Sequence, residues 1–216
     1  IPEVDAFIGL DELERVGEAV LGELAPDHIP DQHGALRLYD HTAPRMLATG
    51  GVFAYLKVAE GCDNPCAFCH IPAMRGRFRS RSIESLVAEA QRIEAAGVTE
   101  LVLVAQDTTR YGEDLGLGRG GLRRLLEALL AGTTLPWVRF LYAYPATLDE
   151  GIFALMRAEP RLLPYLDIPL QHASRRVLKG MQRGGDARSY RALIARARAA
   201  VPGLAVTLRW LLSATK

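Results

Sequence analysis

The chain has 216 residues, of which 49% are apolar and 24% are charged, and its formal net charge is +1. This composition is ordinary for a soluble globular protein and is sufficient for one sizeable α/β core. No apolar run approaches the length of a membrane span and no signal peptide is visible, so we expect a cytoplasmic protein. Because the first residue is Ile1 and not methionine, we also expect a fragment of a longer protein.

Residues 1–51 are predicted to precede the core. A short amphipathic helix is predicted at 11–21, opened by acidic side chains. Residues 25–50 contain three prolines and several turn residues, which is typical of a linker. This linker also holds three irregularly spaced histidines, which we interpret as solvated side chains and not as metal ligands: His28, His33 and His41. We place a domain boundary after residue 51, with residues 52–216 forming the core.

All the cysteines of the chain lie in one segment: Cys62, Cys66 and Cys69. The segment follows the apolar run 53–59, which predicts a buried strand, and its turn residues predict a loop. The spacing C-x3-C-x2-C is one thiolate short of a closed tetrahedral metal site. An iron–sulfur cluster bound by three thiolates keeps one iron open for a substrate or cofactor, so the spacing indicates a 4Fe–4S site with a chemical role.

Three alternatives to an iron–sulfur site are weaker. Residues 66–70 match the C-x-x-C-H pattern of covalent haem attachment, but that site needs export to an oxidising compartment and leaves Cys62 without a role. A zinc site would need His70 as its fourth ligand, and adjacent Cys69 and His70 reach one metal with difficulty. Free thiols of an apolar core are not expected in so polar a loop.

From residue 52 onward, predicted strands and helices alternate. The predicted strands are 53–59, 101–105, 137–143, 165–170 and 204–211. The predicted helices are 83–96, 122–131, 148–158, 175–181 and 187–200. This alternation predicts an α/β fold in which a parallel sheet is covered by helices. We expect a partial parallel (β/α) TIM-like barrel, truncated after about five strands.

Polar and reactive residues follow several of the predicted strands. The cysteine segment follows the first strand, the polar segment 106–112 follows the second, and Gln171 and His172 follow the fourth. Active sites of such barrels lie at the carboxyl ends of the strands, so these residues are predicted to meet at one rim. Residues 116–121 match G-x-G-x-x-G, but they lie too far from a preceding strand for a dinucleotide-binding turn, and we interpret them as a flexible loop.

The cysteine segment resembles the radical S-adenosylmethionine (SAM) enzymes, in which C-x3-C-x2-C follows a first strand and an aromatic residue, here Phe68, precedes the last cysteine. Further segments are similar to the methylthiotransferase branch of that superfamily: 55–62, 75–76, 79–81 and 167–172. Residues 104–112 resemble the RimO type, which modifies an aspartate of small-subunit ribosomal protein S12. The tRNA-modifying MiaB type usually has Gly-Gln-Asn-Val-Asn there, and a tRNA-adenosine methylthiotransferase is kept as the alternative.

The resemblance implies cofactors and residue roles. Cys62, Cys66 and Cys69 would hold a 4Fe–4S cluster whose open iron binds SAM, and Phe68 would lie against the adenine. Three more residues stand where superfamily members contact SAM: Gln106, Asp107 and Gln171. For each of these, a hydrogen bond to a neighbouring loop is an equally good interpretation.

The implied reaction is a radical methylthiolation. Cleavage of SAM would generate a radical that removes hydrogen from the unactivated β-carbon of the target aspartate, since no side-chain base can take that proton. The implied partners are ribosomal protein S12 in the small ribosomal subunit and an electron donor, with neither membrane nor DNA.

The chain also departs from the family pattern. A second 4Fe–4S cluster is held in the family by three cysteines of an N-terminal domain, and this chain has no further cysteine. Residues 1–51 would be the tail of that domain plus a linker. After Leu208 the expected Gly-Phe-Pro-Gly-Glu segment is absent, so we expect the core to lack its last strand. We therefore expect this polypeptide to bind a cluster but not to complete methylthiolation alone.

Overall fold

The computed structural model describes residues 4–9, 12–25, 28 and 38–210. The chain forms two compact units, residues 1–39 and 40–216. Residues 40–51, which the sequence placed before the core, belong to the larger unit. They are attached to it by specific polar contacts, since Arg45 pairs with Glu89 and the carbonyl of His41 accepts a hydrogen bond from a second arginine, Arg92.

The described part of the smaller unit contains one short helical element. A 3-10 turn, Leu13–Arg15, leads into helix α1, Val16–Leu21. The helix predicted at 11–21 is thus α-helical only in its second half, and its first residue lies outside the described residues. The predicted origin of residues 1–51, as a domain tail and linker, stays a prediction.

The strands of the larger unit are β1 Phe53–Lys57, β2 Ala59–Glu60, β3 Arg79–Ser80, β4 Glu100–Val104, β5 Trp137–Phe140, β6 Tyr165–Gln171 and β7 Ala205–Trp210. Strands β1, β4 and β5 form a parallel sheet in that order, and β6 and β7 form a second parallel pair. A parallel bridge between Val138 and Leu162 and a 2.8 Å hydrogen bond from the Ala143 amide to the Asp167 carbonyl connect the two. Five parallel strands in chain order confirm the predicted partial barrel.

The helices of the larger unit are α2 Ile71–Arg75, α3 Ile83–Ala95, α4 Gly121–Gly132, α5 Gly151–Ala158, α6 Arg175–Gly180 and α7 Ala187–Ala200. Helix α3 begins where the Ser82 hydroxyl accepts a 3.2 Å hydrogen bond from the Ser85 amide. It buries Leu86, Ala90 and Ile93, which lie three or four residues apart and therefore on one face. The apolar side of the helix thus packs into the core.

The core consists of the strands and the apolar faces of these helices. Strand β4 is buried over its first four residues, as expected for a parallel strand that is covered on both sides. In helix α4 the buried leucines recur with helical spacing: Leu122, Leu125, Leu126, Leu129 and Leu130. The strands are thereby held rigidly, and the loops at their carboxyl ends are left to carry the site.

The larger unit differs from the sequence prediction in the ends of some elements and in its short elements. Strand β5 ends at Phe140, three residues early, because Tyr142 adopts a φ of 59° and leaves the ladder. The antiparallel pair β2–β3 and helix α2 were not predicted, since runs of two to five residues carry too little periodicity to be recognised.

The glycine-rich segment 116–121 does not follow a strand, consistent with the rejection of a dinucleotide-binding turn. It is more ordered than the predicted flexible loop, because Gly118–Gly120 form a 3-10 turn and Gly121 begins helix α4. A β-carbon at Gly121 would lie 2.0 Å from the carbonyl oxygen of Tyr111. Glycine is therefore required there for close packing of the helix on the preceding loop.

Candidate functional site

A pocket of about 470 Å³ opens at the carboxyl ends of the five parallel strands. Each strand contributes to it within two residues of its carboxyl end. The lining residues are Lys57, Cys62, Asn64, Cys66, Phe68, Cys69, Ile71, Val104, Ala105, Gln106, Tyr142, Tyr144, Pro169, Gln171, Arg183 and Arg209. All the cysteines and three of the other four predicted site residues are in this set, so the rim predicted from the strand order is present.

The loop that carries the cysteines is fixed at several points. The Cys62 amide donates to the Gly76 carbonyl at 3.2 Å, and the Ala67 amide donates to the Met181 carbonyl at 3.0 Å. Gly61 has a φ of 78°, and a β-carbon there would lie 2.1 Å from the Arg77 carbonyl oxygen. The chain therefore passes too close to the connection between α2 and β3 for any residue but glycine at this position.

The three thiols are free and line one wall of the pocket. Cys62 is 8% exposed, and burial raises the pKa of its thiol, although the Asn64 amide, 3.4 Å from the sulfur, acts in the opposite direction. Within the described ranges, no three His, Cys, Asp or Glu side chains are arranged to hold a single metal ion. The ligands of an iron–sulfur cluster bind different irons and need not converge on one point.

Arg183 lies against the second thiol. One terminal nitrogen of its guanidinium, Nη1, is 3.3 Å from Cys66 Sγ, and Nη2 donates to the Pro169 carbonyl at 2.7 Å. The guanidinium carbon stands 4.4 Å from the centre of the Tyr144 ring. The buried Nε has no hydrogen-bond partner among the described residues. A guanidinium that donates to a sulfur atom is a suitable outer partner for a thiolate that binds a metal.

Gln106, a predicted cofactor contact, reaches the pocket from the end of β4. Its Nε2 donates to Glu60 Oε1 at 3.1 Å, and the same carboxylate pairs with Lys57 and with Arg75 at 3.2 Å. Its Oε1 is buried and has no protein partner within the described part of the chain. An unused buried acceptor that lines a pocket is a suitable partner for a donor group of a bound molecule.

Asp107, also a predicted cofactor contact, does not line the pocket. It is 1% exposed, and its carboxylate accepts hydrogen bonds from the Thr109 hydroxyl at 2.5 Å and from Asn64 Nδ2 at 2.9 Å. Burial raises the pKa of this carboxyl, and the hydrogen bonds from Thr109 and Asn64 oppose the shift. Asn64 lies between the first two cysteines, so its hydrogen bond to Asp107 helps to hold the cysteine loop in place.

The raised pKa of Asp107 predicts a pH-dependent effect of Asp107→Asn on stability. The folded chain holds this proton to higher pH than the unfolded chain, so the wild type loses free energy of unfolding as pH rises from 3.8 through the folded pKa. We expect the stability of the variant relative to wild type to increase over that window and then stay constant. Denaturant unfolding of the cluster-free chain at several pH values measures this difference.

Asp186→Asn is the control of opposite sign. The Ser189 amide lowers the pKa of Asp186, so its stabilising contribution is present above 3.8 and is lost as pH falls through the lower folded value. Relative to wild type, this variant is expected to lose stability as pH rises. A difference between Asp107→Asn and wild type that does not vary with pH would contradict the prediction.

Phe68 and Gln171 both line the pocket. Phe68 is 44% exposed, which leaves much of its ring free for contact with a ligand. Gln171 has a φ of 68°, and Tyr142 on the neighbouring strand end has a φ of 59°. Left-handed backbone is uncommon outside glycine, and strained residues of this kind cluster at functional sites. Their roles toward a cofactor stay predictions.

The sequence did not single out the groups that surround these residues. Asn64, Arg183, Arg209 and the buried Asp167 each contact a pocket residue or line the pocket. Asp167 and Arg183 lie far along the chain from the cysteines, so only the folded structure brings them together. The local signals available were a charged residue in each of two largely apolar strands, Asp167 in β6 and Arg209 in β7.

Two of the histidines predicted to be solvated, His28 and His41, are partly buried and make polar contacts. His28 Nε2 is 3.2 Å from Glu12 Oε2 in the smaller unit, and His41 Nδ1 is 3.2 Å from Ser85 Oγ in the larger one. His33 lies outside the described residues. Among the helices that the structure describes, none is both long and apolar enough to cross a membrane.

Comparison with curated proteins finds relatives in several bacteria. The chain is 46% identical over 204 residues to "Ribosomal protein uS12 methylthiotransferase RimO" of Symbiobacterium thermophilum, covering 94% of the chain and 42% of the relative. It is 51% identical over 172 residues to the protein of that name from Koribacter versatilis, covering 80% and 34%. The chain therefore spans less than half the length of these relatives.

Comparison with solved structures agrees on the fold. The radical SAM methyltransferase TsrM of Kitasatospora setae, with tryptophan and a SAM analogue bound, superimposes with a TM-score of 0.56 at 18% identity, covering 73% of this chain and 30% of TsrM. The family model of the radical SAM superfamily matches residues 56–212, which include the cysteine loop and the five strand ends around the pocket. This match confirms the resemblance found in the cysteine segment, and the chain belongs to the radical SAM superfamily.

Proposed function

We propose that this chain is the catalytic core of an enzyme that adds a methylthio group to the β-carbon of an aspartate in ribosomal protein uS12. The relatives that carry the name uS12 methylthiotransferase support the substrate, and the superfamily supports the chemistry. Because the chain spans 42% of the first of these relatives, the activity of the whole protein is part of the proposal.

The observation that carries the proposal is the composition of the pocket. Three free thiols share it with a buried Gln106 acceptor and a buried Arg183 donor that have no partner among the described residues. A pocket of about 470 Å³ is within the usual range for a small-molecule or cofactor site. The donor set therefore fits a 4Fe–4S cluster together with a polar organic cofactor such as SAM.

Cys62, Cys66 and Cys69 would hold the cluster, which together with SAM would supply a carbon radical able to remove an unactivated hydrogen. The protein's own part is to position the ligands and to exclude water. Apolar side chains from helix α2 and the end of β4, Ile71 and Val104 among them, form the drier part of the wall.

The remaining pocket residues suit the polar ends of SAM. The orphan Gln106 Oε1 is placed to accept from an amino group, Gln171 offers an amide at the end of β6, and the exposed Phe68 ring offers a face for the adenine. Asp107 acts through Asn64 and holds the cysteine loop. In this proposal it is a positioning residue, while Gln106 and Gln171 touch the cofactor.

The wider reaction needs partners outside this chain. An electron donor must reduce the cluster, and sulfur delivery is assigned to a second 4Fe–4S cluster held by another part of the protein. Modification of a ribosomal protein implies action in the cytoplasm on uS12 or on the small ribosomal subunit.

Arg183→Gln is expected to lower the midpoint potential of the reconstituted cluster by about 50 mV, because a charged hydrogen bond to a cluster sulfur favours the reduced form. A redox titration followed by electron paramagnetic resonance (EPR) measures this shift. Arg176→Gln removes the same charge from exposed helix α6 and should leave the potential nearly unchanged. Equal shifts in the two variants would show that net charge, not the 3.3 Å contact to Cys66, sets the potential.

EPR of the anaerobically reconstituted and reduced chain tests the proposed cofactors. We expect a cubane signal whose shape changes when SAM is added. A signal that does not respond to SAM would remove the SAM site from the proposal, and a folded chain without a cluster would refute it.

The substrate is tested separately by mass spectrometry of uS12 and of tRNA after incubation with the whole enzyme. A methylthio mass gain on uS12 supports the proposal, whereas a gain on tRNA adenosine would identify the tRNA-modifying alternative.

A further inference from the structure

The pocket wall carries three cations and no carboxylate: Lys57, Arg183 and Arg209. Two of these already bind other groups of the protein. Lys57 pairs with Glu60, and the Arg183 terminal nitrogens bind Cys66 Sγ and the Pro169 carbonyl. Arg209 differs from Arg183 in that both of its terminal nitrogens are without a partner among the described residues, whereas Arg183 has only its buried Nε left.

The guanidinium of Arg209 is held on its buried side, through Nε. Its Nε donates to Asp167 Oδ1 at 2.7 Å, and its guanidinium carbon lies 5.0 Å from the centre of the Tyr142 ring. The two terminal nitrogens make no hydrogen bond to any residue that the structure describes, and the side chain is 47% exposed. The outer fork of the guanidinium is thus oriented by the protein and free to bind a ligand.

The two oxygens of the Asp167 carboxylate bind this arginine and the backbone at the end of the adjacent strand. Its side chain is 0% exposed, and its second oxygen accepts a 3.1 Å hydrogen bond from the Tyr142 amide. A carboxylate buried this completely needs a cation, and strand β7 supplies it opposite Pro169 of β6. Tyr142 also has left-handed backbone and lines the pocket, so this backbone strain is located at the site, next to the Asp167–Arg209 pair.

A pre-oriented guanidinium with a free fork recognises a carboxylate through two parallel hydrogen bonds. We propose that Arg209 binds the side-chain carboxylate of the substrate aspartate and so selects aspartate over its amide. The inference rests on the proposed function. It has a mechanistic consequence, since the β-carbon is bonded directly to that carboxylate and is positioned in the pocket when the carboxylate is held.

The carboxylate that Arg209 binds has two possible sources, the substrate aspartate and the methionine part of SAM. A binding experiment on the cluster-reconstituted chain separates them. Two peptides are compared in the presence of SAM, one copied from uS12 around its target aspartate and one with asparagine in that place. SAM binding itself is followed by its effect on the EPR signal.

We expect the parent chain to bind the aspartate peptide at least 10-fold more tightly than the asparagine peptide, and Arg209→Gln to lose about 30-fold in affinity for the aspartate peptide only. The two peptides should then bind Arg209→Gln nearly equally, with the response to SAM unchanged. Arg209→Lys keeps the charge but lacks the fork, and we expect it to retain a smaller preference. This variant carries the test if Arg209→Gln does not fold.

Arg139 provides a matched control. It is also a strand arginine paired with a carboxylate, that of Glu100, and its guanidinium carbon lies 5.4 Å from the centre of a tyrosine ring, that of Tyr165. It does not line the pocket. Arg139→Gln should therefore leave the peptide preference as in the parent.

Three outcomes would overturn the proposal. An unchanged peptide preference in Arg209→Gln would leave the proposed function standing and remove the role of Arg209. A weakened response to SAM with unchanged peptide binding would assign Arg209 to the methionine carboxylate. If the parent chain bound neither peptide, the substrate part of the proposed function would fail as well.

Discussion

Cys66→Ser is expected to abolish the cluster. Serine preserves the size of the side chain, but its hydroxyl is a poor ligand for iron, and only two thiols would remain in the pocket. Iron analysis after reconstitution should give about four irons per chain for the parent and less than one for the variant. The EPR signal of the reduced sample should disappear in parallel.

The effect must come from the thiol and not from a disturbed loop. Ala67→Ser introduces a hydroxyl at the neighbouring exposed position and keeps all three thiols, so it should bind iron as the parent does. Far-ultraviolet circular dichroism should show that both variants are folded, because neither side chain belongs to the apolar core. A full cluster in Cys66→Ser would refute the assignment of this cysteine as a ligand.

Gly61→Ala is expected to destabilise the cysteine loop by at least about 3 kcal/mol, because it adds a steric clash to an unfavourable backbone conformation. The added β-carbon would lie 2.1 Å from the Arg77 carbonyl oxygen and 2.6 Å from that of Gly76. Residues 76–77 must move to relieve this contact, and the Cys62 amide would lose its bond to Gly76. Guanidinium unfolding measures the stability, and iron content after reconstitution reports the loop.

Gly203→Ala is the control variant, because it places a side chain in the same unfavourable backbone conformation without a steric clash. Gly203 has a φ of 76°, close to the 78° of Gly61, but a β-carbon there would have no neighbour within 4 Å. It should lose only about 1 kcal/mol and keep its full iron content. If the two variants were equally stable and bound equal iron, the close approach of Gly61 to residues 76–77 would not be a constraint on the site.

The longer elements of this fold were predictable from local pattern. Helix α3 was predicted to within one residue, because Leu86, Ala90 and Ile93 repeat with helical spacing after a serine cap. Strand β4 is a continuous apolar run, which is recognisable without any knowledge of its neighbours. The elements that were missed, helix α2 and the antiparallel pair β2–β3, are stabilised by contacts distant in sequence, such as the Ser80 amide with Asp114 at 2.7 Å.

The site was predictable where it is local in the chain. Ligand type and ligand number follow from side-chain chemistry and spacing, so the three cysteines of one loop could be identified as an iron–sulfur motif. The rim position of Gln106 and Gln171 followed from strand order, since parallel strands end at one edge. Asp107 was placed on the same rim, yet its side chain turns inward to Thr109 and Asn64, and no sequence pattern reports that direction.

The cysteine motif and the alternation of strands and helices follow from the order of the residues, and they predict the partial barrel with its reactive residues at one rim. How these residues are held, and which charges surround them, depends on the folded arrangement of distant segments. Arg183 meets Cys66 across 117 positions of sequence, and Arg209 meets Asp167 across 42. Hydrogen bonds and ion pairs act over a few ångströms in space, so the cationic wall of the pocket exists only once the strands have packed and brought these groups together.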